Sequence, residues 1–492
     1  MSPTEADASR HRIWTLLIVS VGLFMVVLDN LIVSVALPSI RRDLGASIQS
    51  LEWTVNAYVL AYAVLLLTGA ALGDRFGRKR LFLIGVALFT AASAGSALSP
   101  DTGVLIATRA LQGIGAAIVT PLTLTLLADE FTEASRGIAL GVWSGITGVA
   151  VALGPLVGGA VISLSSWHWI FWINVPVGLI LLPTAARRLR ESRGIARGLD
   201  LPGLALGSSG LFGVIFGLIR AQTIGWASVE VILSLVAGAT LLAAFVAQEL
   251  RTPEPMLPMS FFTHRGFAVT NVVSLSMYFG MFGSIFFLSQ YLQNVLGNTP
   301  VHAGLKLLVW TGSIMVVSPG AGILAERYGS RRFMVGGLSL QAIALAWLAS
   351  EAGIHQSYSS MILPFIMGGA GMALVFAPSA SAVLASVRDD QAGQASGATN
   401  AVRELGGVLG IAVLATVFSA HGSYLSAHAF VAGLRPTLWV GVAVLAAGAL
   451  VAVVLPFEDG RASLPTDEAR AAMGPVTAPA APTPAVSGVH AS

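Results

Sequence analysis

Runs of about twenty apolar residues recur along the chain, fourteen in all, and that recurrence leaves few folds open. A helix needs roughly 20 such residues to cross the hydrocarbon core of a bilayer. The runs lie near 13–35, 51–72, 80–98, 103–127, 137–163, 169–186, 202–221 and 229–249, then near 267–293, 303–324, 332–350, 359–379, 393–419 and 436–456. Every backbone polar group inside lipid must be satisfied internally, so runs of this length are read as transmembrane helices. The chain is 55% hydrophobic and only 10% charged, against roughly 25% charged in soluble domains. The expected class is an all-α, multi-pass membrane protein.

The sequence pI of 9.4 invites a nucleic-acid reading. The bases, however, sit in short loops between apolar runs and form no basic domain, so no nucleic-acid partner is expected. Cysteine is absent, which removes disulfides, thiolate chemistry and Cys-based metal sites. The polar start, Met1 to Arg12, leads into the first run without a clear cleavage site and reads as a retained signal anchor.

The bases also orient the chain. Of 27 Lys and Arg, 20 fall on the side that holds both termini, among them Arg75, Arg78, Lys79, Arg80, Arg187, Arg188, Arg327, Arg331 and Arg332. Arg41, Arg42, Lys306 and Arg435 fall on the other side, and Arg109, Arg220 and Arg403 lie in or at the ends of spans. The positive-inside rule places both termini in the cytoplasm.

An internal repeat divides the chain. Leu72-Gly73-Asp74-Arg75-Phe76-Gly77-Arg78-Lys79-Arg80 aligns with Leu324-Ala325-Glu326-Arg327-Tyr328-Gly329-Ser330-Arg331-Arg332. The first copy follows span 2 and the second span 10, although duplicated six-span halves would put it after span 8. Two inserted helices account for the offset. The expected division is a six-helix bundle over 1–186, a linker with two extra helices over 187–258, a second bundle over 259–457, and a disordered Ala/Pro-rich tail over 458–492.

The repeated loops suggest a conformational lock. Asp74 is flanked by Arg75, Arg78 and Lys79 beside the Gly77 turn, and Glu326 and Arg327 stand in the second copy; such acids can form interhelical salt bridges and cap a neighbouring helix. Within the spans, Asp29 would cost roughly 2.5–3.5 kcal/mol facing lipid, so it must face protein or water. Arg109 is its expected partner, and Gln112, three residues on, shares that helix face. Asn400, Arg403 and Glu404 occupy positions i, i+3 and i+4 on one polar face. Burial favours a neutral Glu404 while Arg403 favours the carboxylate, a balance suited to loading and releasing a proton. Span 5 carries Gly141, Gly145, Gly154-Pro155 and Gly158, spaced for close helix approach with a bend at the proline.

Rival chemistries find no residues. Both lysines, Lys79 and Lys306, lack the Gly-Lys-Ser/Thr context of a phosphate loop, and no His-Glu-x-x-His occurs. No enzyme activity, metal or organic cofactor is expected.

Asp74 to Arg80 resembles the loop 2–3 signature of the major facilitator superfamily. Arg109 to Ala117 is similar to its span 4 motif and Gly148 to Gly159 to its antiporter motif. Leu28-Asp29 through Ala36-Leu37-Pro38, Trp53 with Ala57-Tyr58, Trp167 through Pro176, Leu288 to Gln293 and Gly393 to Gly397 resemble the fourteen-helix drug/proton antiporter family of bacteria. Leu31 stands where that family usually has Thr, and His168 where it has Arg. The resemblance implies a major facilitator fold in the bacterial inner membrane that exports small hydrophobic or amphipathic compounds against inward proton flow; membrane lipid is the expected surroundings and a monomer the expected state. Proton coupling is expected at Asp29, Glu404 and Arg109, and the substrate cavity at Asn30, Gln112, Gln290, Asn400 and Arg403. Asp74, Arg75, Gly77, Arg78, Glu326, Arg327, Gly154 and Pro155 are the expected conformational residues. A lipid or metabolite transporter of the same fold, or a non-transporting receptor or scaffold, is the alternative.

Overall fold

The computed structural model describes residues 3–455 apart from 132, 195–199, 254 and 389–390. The expected tail, 458–492, lies outside the described residues. Sixteen helices and no strands occur among the residues described. In the first half, α1 (Pro3–Leu44), α2 (Ile48–Phe76), α3 (Arg78–Ala97), α4 (Thr102–Glu130) and α5 (Glu133–Leu164) precede the short α6 (Trp169–Trp172) and α7 (Asn174–Arg188). A hairpin of α8 (Leu201–Ile224) and α9 (Val229–Glu249) follows. The second half comprises the short α10 (Ser260–Thr263), then α11 (Arg265–Asn294), α12 (Pro300–Tyr328), α13 (Ser330–Glu351), α14 (Tyr358–Ala385), α15 (Ala392–His421) and α16 (Ala427–Ala452).

Among the described residues, 13 stretches are long and apolar enough to cross a membrane. The remaining expected run, 137–163, falls in α5, a helix of 32 residues whose described apolar stretch is Ile138–Ala150. Helix starts follow ordinary capping chemistry. Ser47 Oγ accepts from Ser50 N–H at 3.1 Å, Asp101 Oδ1 from Val104 N–H at 2.9 Å and Ser426 Oγ from Ala429 N–H at 3.1 Å, each satisfying a first-turn donor. That last cap starts α16 well before the expected 436, and Pro436 is absorbed inside the helix. The expected span 169–186 is two helices, α6 and α7. Pro176 has no N–H to offer the Trp172 carbonyl, which weakens the helix at this join.

Each half packs as its own bundle: α2, α3 and α4 pack together with α1 against α5, and α11 packs on α15 and α16 while α13 packs on α14. The halves meet along two seams, α5 against α12 and α2 against α15, and the α8–α9 hairpin lies outside the second. The repeat is visible in the backbone. Gly77, between α2 and α3, has φ 109°, and Gly329, between α12 and α13, has φ 85°. Arg75 lies over the Phe76 ring at 5.5 Å and Arg327 over the Tyr328 ring at 5.4 Å.

Gly77 is held by both conformation and space. At φ 109° and ψ 127° a side chain is strained, and a Cβ would lie 2.7 Å from the Glu191 carboxyl carbon. We expect Gly77→Ala to destabilise the protein by about 1–3 kcal/mol, read as a lower thermal unfolding midpoint in detergent. An unchanged midpoint would mean that the turn tolerates a side chain.

Candidate functional site

Between the halves lies an internal cavity with about 50 Å³ open to the centres of water molecules. Its first-half wall is Leu23, Val26, Val27, Asn30 and Leu31 of α1, Tyr58 and Tyr62 of α2, Thr120 of α4, and Trp143 and Thr147 of α5. Opposite stand Tyr278, Met281 and Phe282 of α11, Met372 and Phe376 of α14, and Asn400 and Glu404 of α15. No residue of α8 or α9 lines it. Aromatic rings dominate: Tyr58 stacks on Tyr62 with centroids 6.0 Å apart, and Trp143 meets Phe376 of the other half at 5.8 Å. Polar groups on the wall are largely engaged with protein. Tyr58 Oη donates to Val26 O at 3.1 Å, Tyr62 Oη to Thr120 Oγ1 at 3.3 Å, and Asn400 Nδ2 to Ser396 O at 3.0 Å.

The Asn30 amide and the Tyr278 hydroxyl make no hydrogen bond among the described residues, and Glu404 stands apart from them by its charge. It is the one charged side chain on this wall, and among the described residues no salt bridge or hydrogen bond reaches it. Arg403, adjacent in sequence, turns away. Its Nη2 donates to Ser379 Oγ at 2.9 Å, and its guanidinium lies 4.9 Å from the Phe376 centroid and 5.9 Å from Tyr278.

The second polar cluster sits behind the aromatic wall. Arg109 Nη1 meets Asp29 Oδ2 at 2.5 Å, and both side chains are fully buried. Two amides complete the shell around Asp29 Oδ1: Gln112 Nε2 donates at 3.2 Å and Asn174 Nδ2 at 2.7 Å. Arg109 also donates to Gln112 Oε1 at 3.0 Å and to the Thr54 carbonyl at 3.2 Å, while the Tyr58 ring covers its guanidinium at 4.2 Å. The cost of burying this pair is met by geometry and hydrogen bonds rather than by water.

A third cluster closes the Arg-rich end. Arg78 Nε donates to Asp74 Oδ1 at 2.8 Å, and its Nη1 meets Asp129 Oδ1 of α4 at 2.5 Å. The segment after α7 folds over this pair: Ser192 Oγ donates to Asp129 Oδ2 at 2.5 Å and Gly194 N–H to Asp74 O at 3.0 Å. Glu191 accepts from the N–H groups of Lys79 at 3.0 Å and Arg80 at 3.2 Å, an anion at the start of α3. Across the seam, the Asp74 carboxylate abuts Gly393 in the first turn of α15, which leaves no room there for a Cβ.

Sequence reasoning places most of these residues but not all in the expected company. Asn30, Asn400 and Glu404 are on the cavity wall. Gln112 is in the ion-pair cluster, Arg403 is behind the wall, and Gln290 faces Tyr424 in the loop between α15 and α16. Arg75 is exposed, whereas Arg78 makes the buried bridge. Gly154 meets Leu31 of α1, and Gly158 meets Ile32 beside it. The side chains of Pro155 and Glu326 lie outside the described residues. Asn174, Asp129 and Glu191 escape a reading by charge cost, since an amide is cheap in a span and acids near loops carry no penalty. Tyr58 and Asn174 do stand within the segments that carry the family resemblance.

The Major Facilitator Superfamily model matches residues 19–411 and 270–487. The tetracenomycin C resistance and export protein of Streptomyces glaucescens is 36% identical over 419 residues, 85% of this chain and 78% of that one. The puromycin resistance protein pur8 of Streptomyces alboniger is 36% identical over 440 residues, 87% of this chain and 86% of its own. The multidrug resistance protein Stp of Mycobacterium tuberculosis is 34% identical over 414 residues, 84% and 77% of the two chains. Among solved structures, the proton:xylose symporter XylE superposes with a TM-score of 0.68 at 16% identity, covering 92% of this chain and 97% of XylE.

Proposed function

The chain belongs to the Major Facilitator Superfamily, and from that premise we propose that it exports drug- or antibiotic-like compounds, hydrophobic or amphipathic, in exchange for protons. It is a transporter rather than an enzyme. The observation that carries the reading is the lone Glu404 carboxylate on a cavity wall whose other residues are all uncharged. Relatives that resist or export tetracenomycin C and puromycin support the substrate class.

The physical logic is one of permitted closures. An ionised Glu404 shut inside an aromatic cavity, with no partner, is costly. Closure becomes affordable when the carboxyl is protonated or when a bound compound faces it. The empty, ionised cavity is the state that does not close, so crossings alternate between proton-loaded and substrate-loaded forms. Proton and substrate each weaken the other's binding, and linkage makes the effect reciprocal. Pockets for drug-sized ligands measure roughly 300–1,000 Å³, so the cavity of about 50 Å³ belongs to a contracted conformation, and loading requires the halves to part.

Two experiments test the proposal. Expressed in a pump-deficient bacterium, the protein should raise tolerance to puromycin-like and polycyclic aromatic compounds, and an uncoupler should remove the gain. Tolerance that survives the uncoupler would remove the proton from the mechanism. We place both termini in the cytoplasm of a bacterial inner membrane, on the strength of the basic loops. A reporter fused after Glu458 should be active only in the cytoplasm, and periplasmic activity would reverse the orientation.

A further inference from the structure

A second cavity lies outside the central one, with about 100 Å³ open to the centres of water-sized spheres. Leu67 of α2, Gly207 of α8, Leu242 and Phe245 of α9, and Ala401 and Leu405 of α15 are among its walls, and every residue lining it is apolar. Water bound there would have no hydrogen-bond partners, so the space does not hold it. An empty void forfeits dispersion contacts along its whole lining. The surrounding helices include candidate membrane spans, and the wall includes Phe262, 40% exposed. Hydrocarbon from the bilayer is the filling that satisfies these conditions.

The charge near that edge narrows the identity. Phe262 is followed by exposed His264 and Arg265, the latter opening α11, and among the described residues Arg265 makes no ion pair or hydrogen bond through its side chain. An exposed base a few residues beyond an apolar slot matches a phosphate on a hydrocarbon chain. We propose that this pocket holds one acyl chain of an anionic phospholipid, with Arg265 receiving the headgroup phosphate. The site goes beyond export itself, because none of its walls faces the central cavity. It has a route to transport nonetheless. Ala401 and Leu405 lie on a face of α15 that adjoins the one carrying Asn400 and Glu404, about a quarter turn away. Leu67 belongs to the opposite half, so a chain in the slot bridges the α2–α15 seam and stabilises the form in which that seam is closed.

The protein reconstituted in liposomes with phosphatidylglycerol bearing a mid-chain diazirine tests this. Photolysis and peptide mapping should find modification at Leu242, Phe245 or Leu405, as well as at the lipid-facing Leu233 and Val236 of α9. Ala401→Leu, which fills the slot, should reduce the first set several-fold and spare the second. Leu242→Ala, which enlarges it, should raise labelling at Phe245 and Leu405, a result that does not depend on the filled variant folding well. Arg265→Gln should weaken slot labelling by this probe but not by an uncharged diacylglycerol analogue. Slot labelling indifferent to both size variants, or confined to Leu233 and Val236, overturns the proposal. Displacement of the probe by puromycin would also overturn it, because the slot would then be a substrate site.

Discussion

Glu404→Gln should abolish proton-driven uptake into inverted vesicles, down to the level of empty vesicles, while leaving folding in place and substrate binding at the weaker, pH-independent level of the protonated form. The amide is isosteric with the protonated acid, and no described residue bonds to Glu404, so nothing structural is lost. What disappears is the ionised state. The variant mimics the loaded carboxyl permanently, closes whether or not substrate is present, and so uncouples substrate movement from the gradient. Substrate exchange across the membrane without a gradient should persist, which separates lost coupling from lost transport. Wild-type uptake with an unchanged pH profile would make Glu404 a bystander and pass the proton to Asp29.

Asp29→Ala should have the largest effect on stability. Removing one partner of a buried pair leaves the other charged and alone, at a cost of about 3–5 kcal/mol. Here the orphan is Arg109, fully buried under Tyr58 with its Gln112 and Thr54 bonds as its remaining support. Thermal unfolding in detergent should show the loss. The double replacement Asp29→Leu with Arg109→Met should recover much of it, since apolar substitutes of similar volume often match a buried pair. If Asp29→Ala unfolds at the wild-type temperature, the pair adds nothing to the first bundle. A proton placed on Asp29 would have to loosen the Arg109 bond, so any coupling role for Asp29 runs through that arginine.

Legibility from sequence followed the cost of burying charge. Asp29, Arg109 and Glu404 announce themselves because a charge in a span has no cheap place to go, and Gln112 follows by helix spacing. The turn at Gly77 and its copy at Gly329 are legible because the surrounding motif repeats. Direction is harder to read. Asn400, Arg403 and Glu404 share a helical face in sequence, yet a few tens of degrees send Asn400 and Glu404 to the cavity and Arg403 to Ser379. Gln290 sits in the string Ser289-Gln290-Tyr291-Leu292-Gln293, but its partner, Tyr424, comes from a loop that only the tertiary fold brings near. Most of the aromatic wall is also silent in sequence, because Trp143, Tyr278 and Phe376 read as ordinary span residues until two bundles oppose them.

The α5–α12 seam has a mechanical consequence. Gly141 lies against Pro319, Gly148 against Ile314 and Gly159 against Val301, all on the facing half. Between Gly141 and Gly159 the helix rises roughly 27 Å, close to the ~30 Å of a bilayer's hydrocarbon. Glycines of α5 therefore let α12 come close at points spread over almost the whole membrane depth, with its backbone at Gly141 and its side chains at Gly148 and Gly159. A small rotation about this seam would displace the far rim most, where α2, α15 and the α8–α9 hairpin lie.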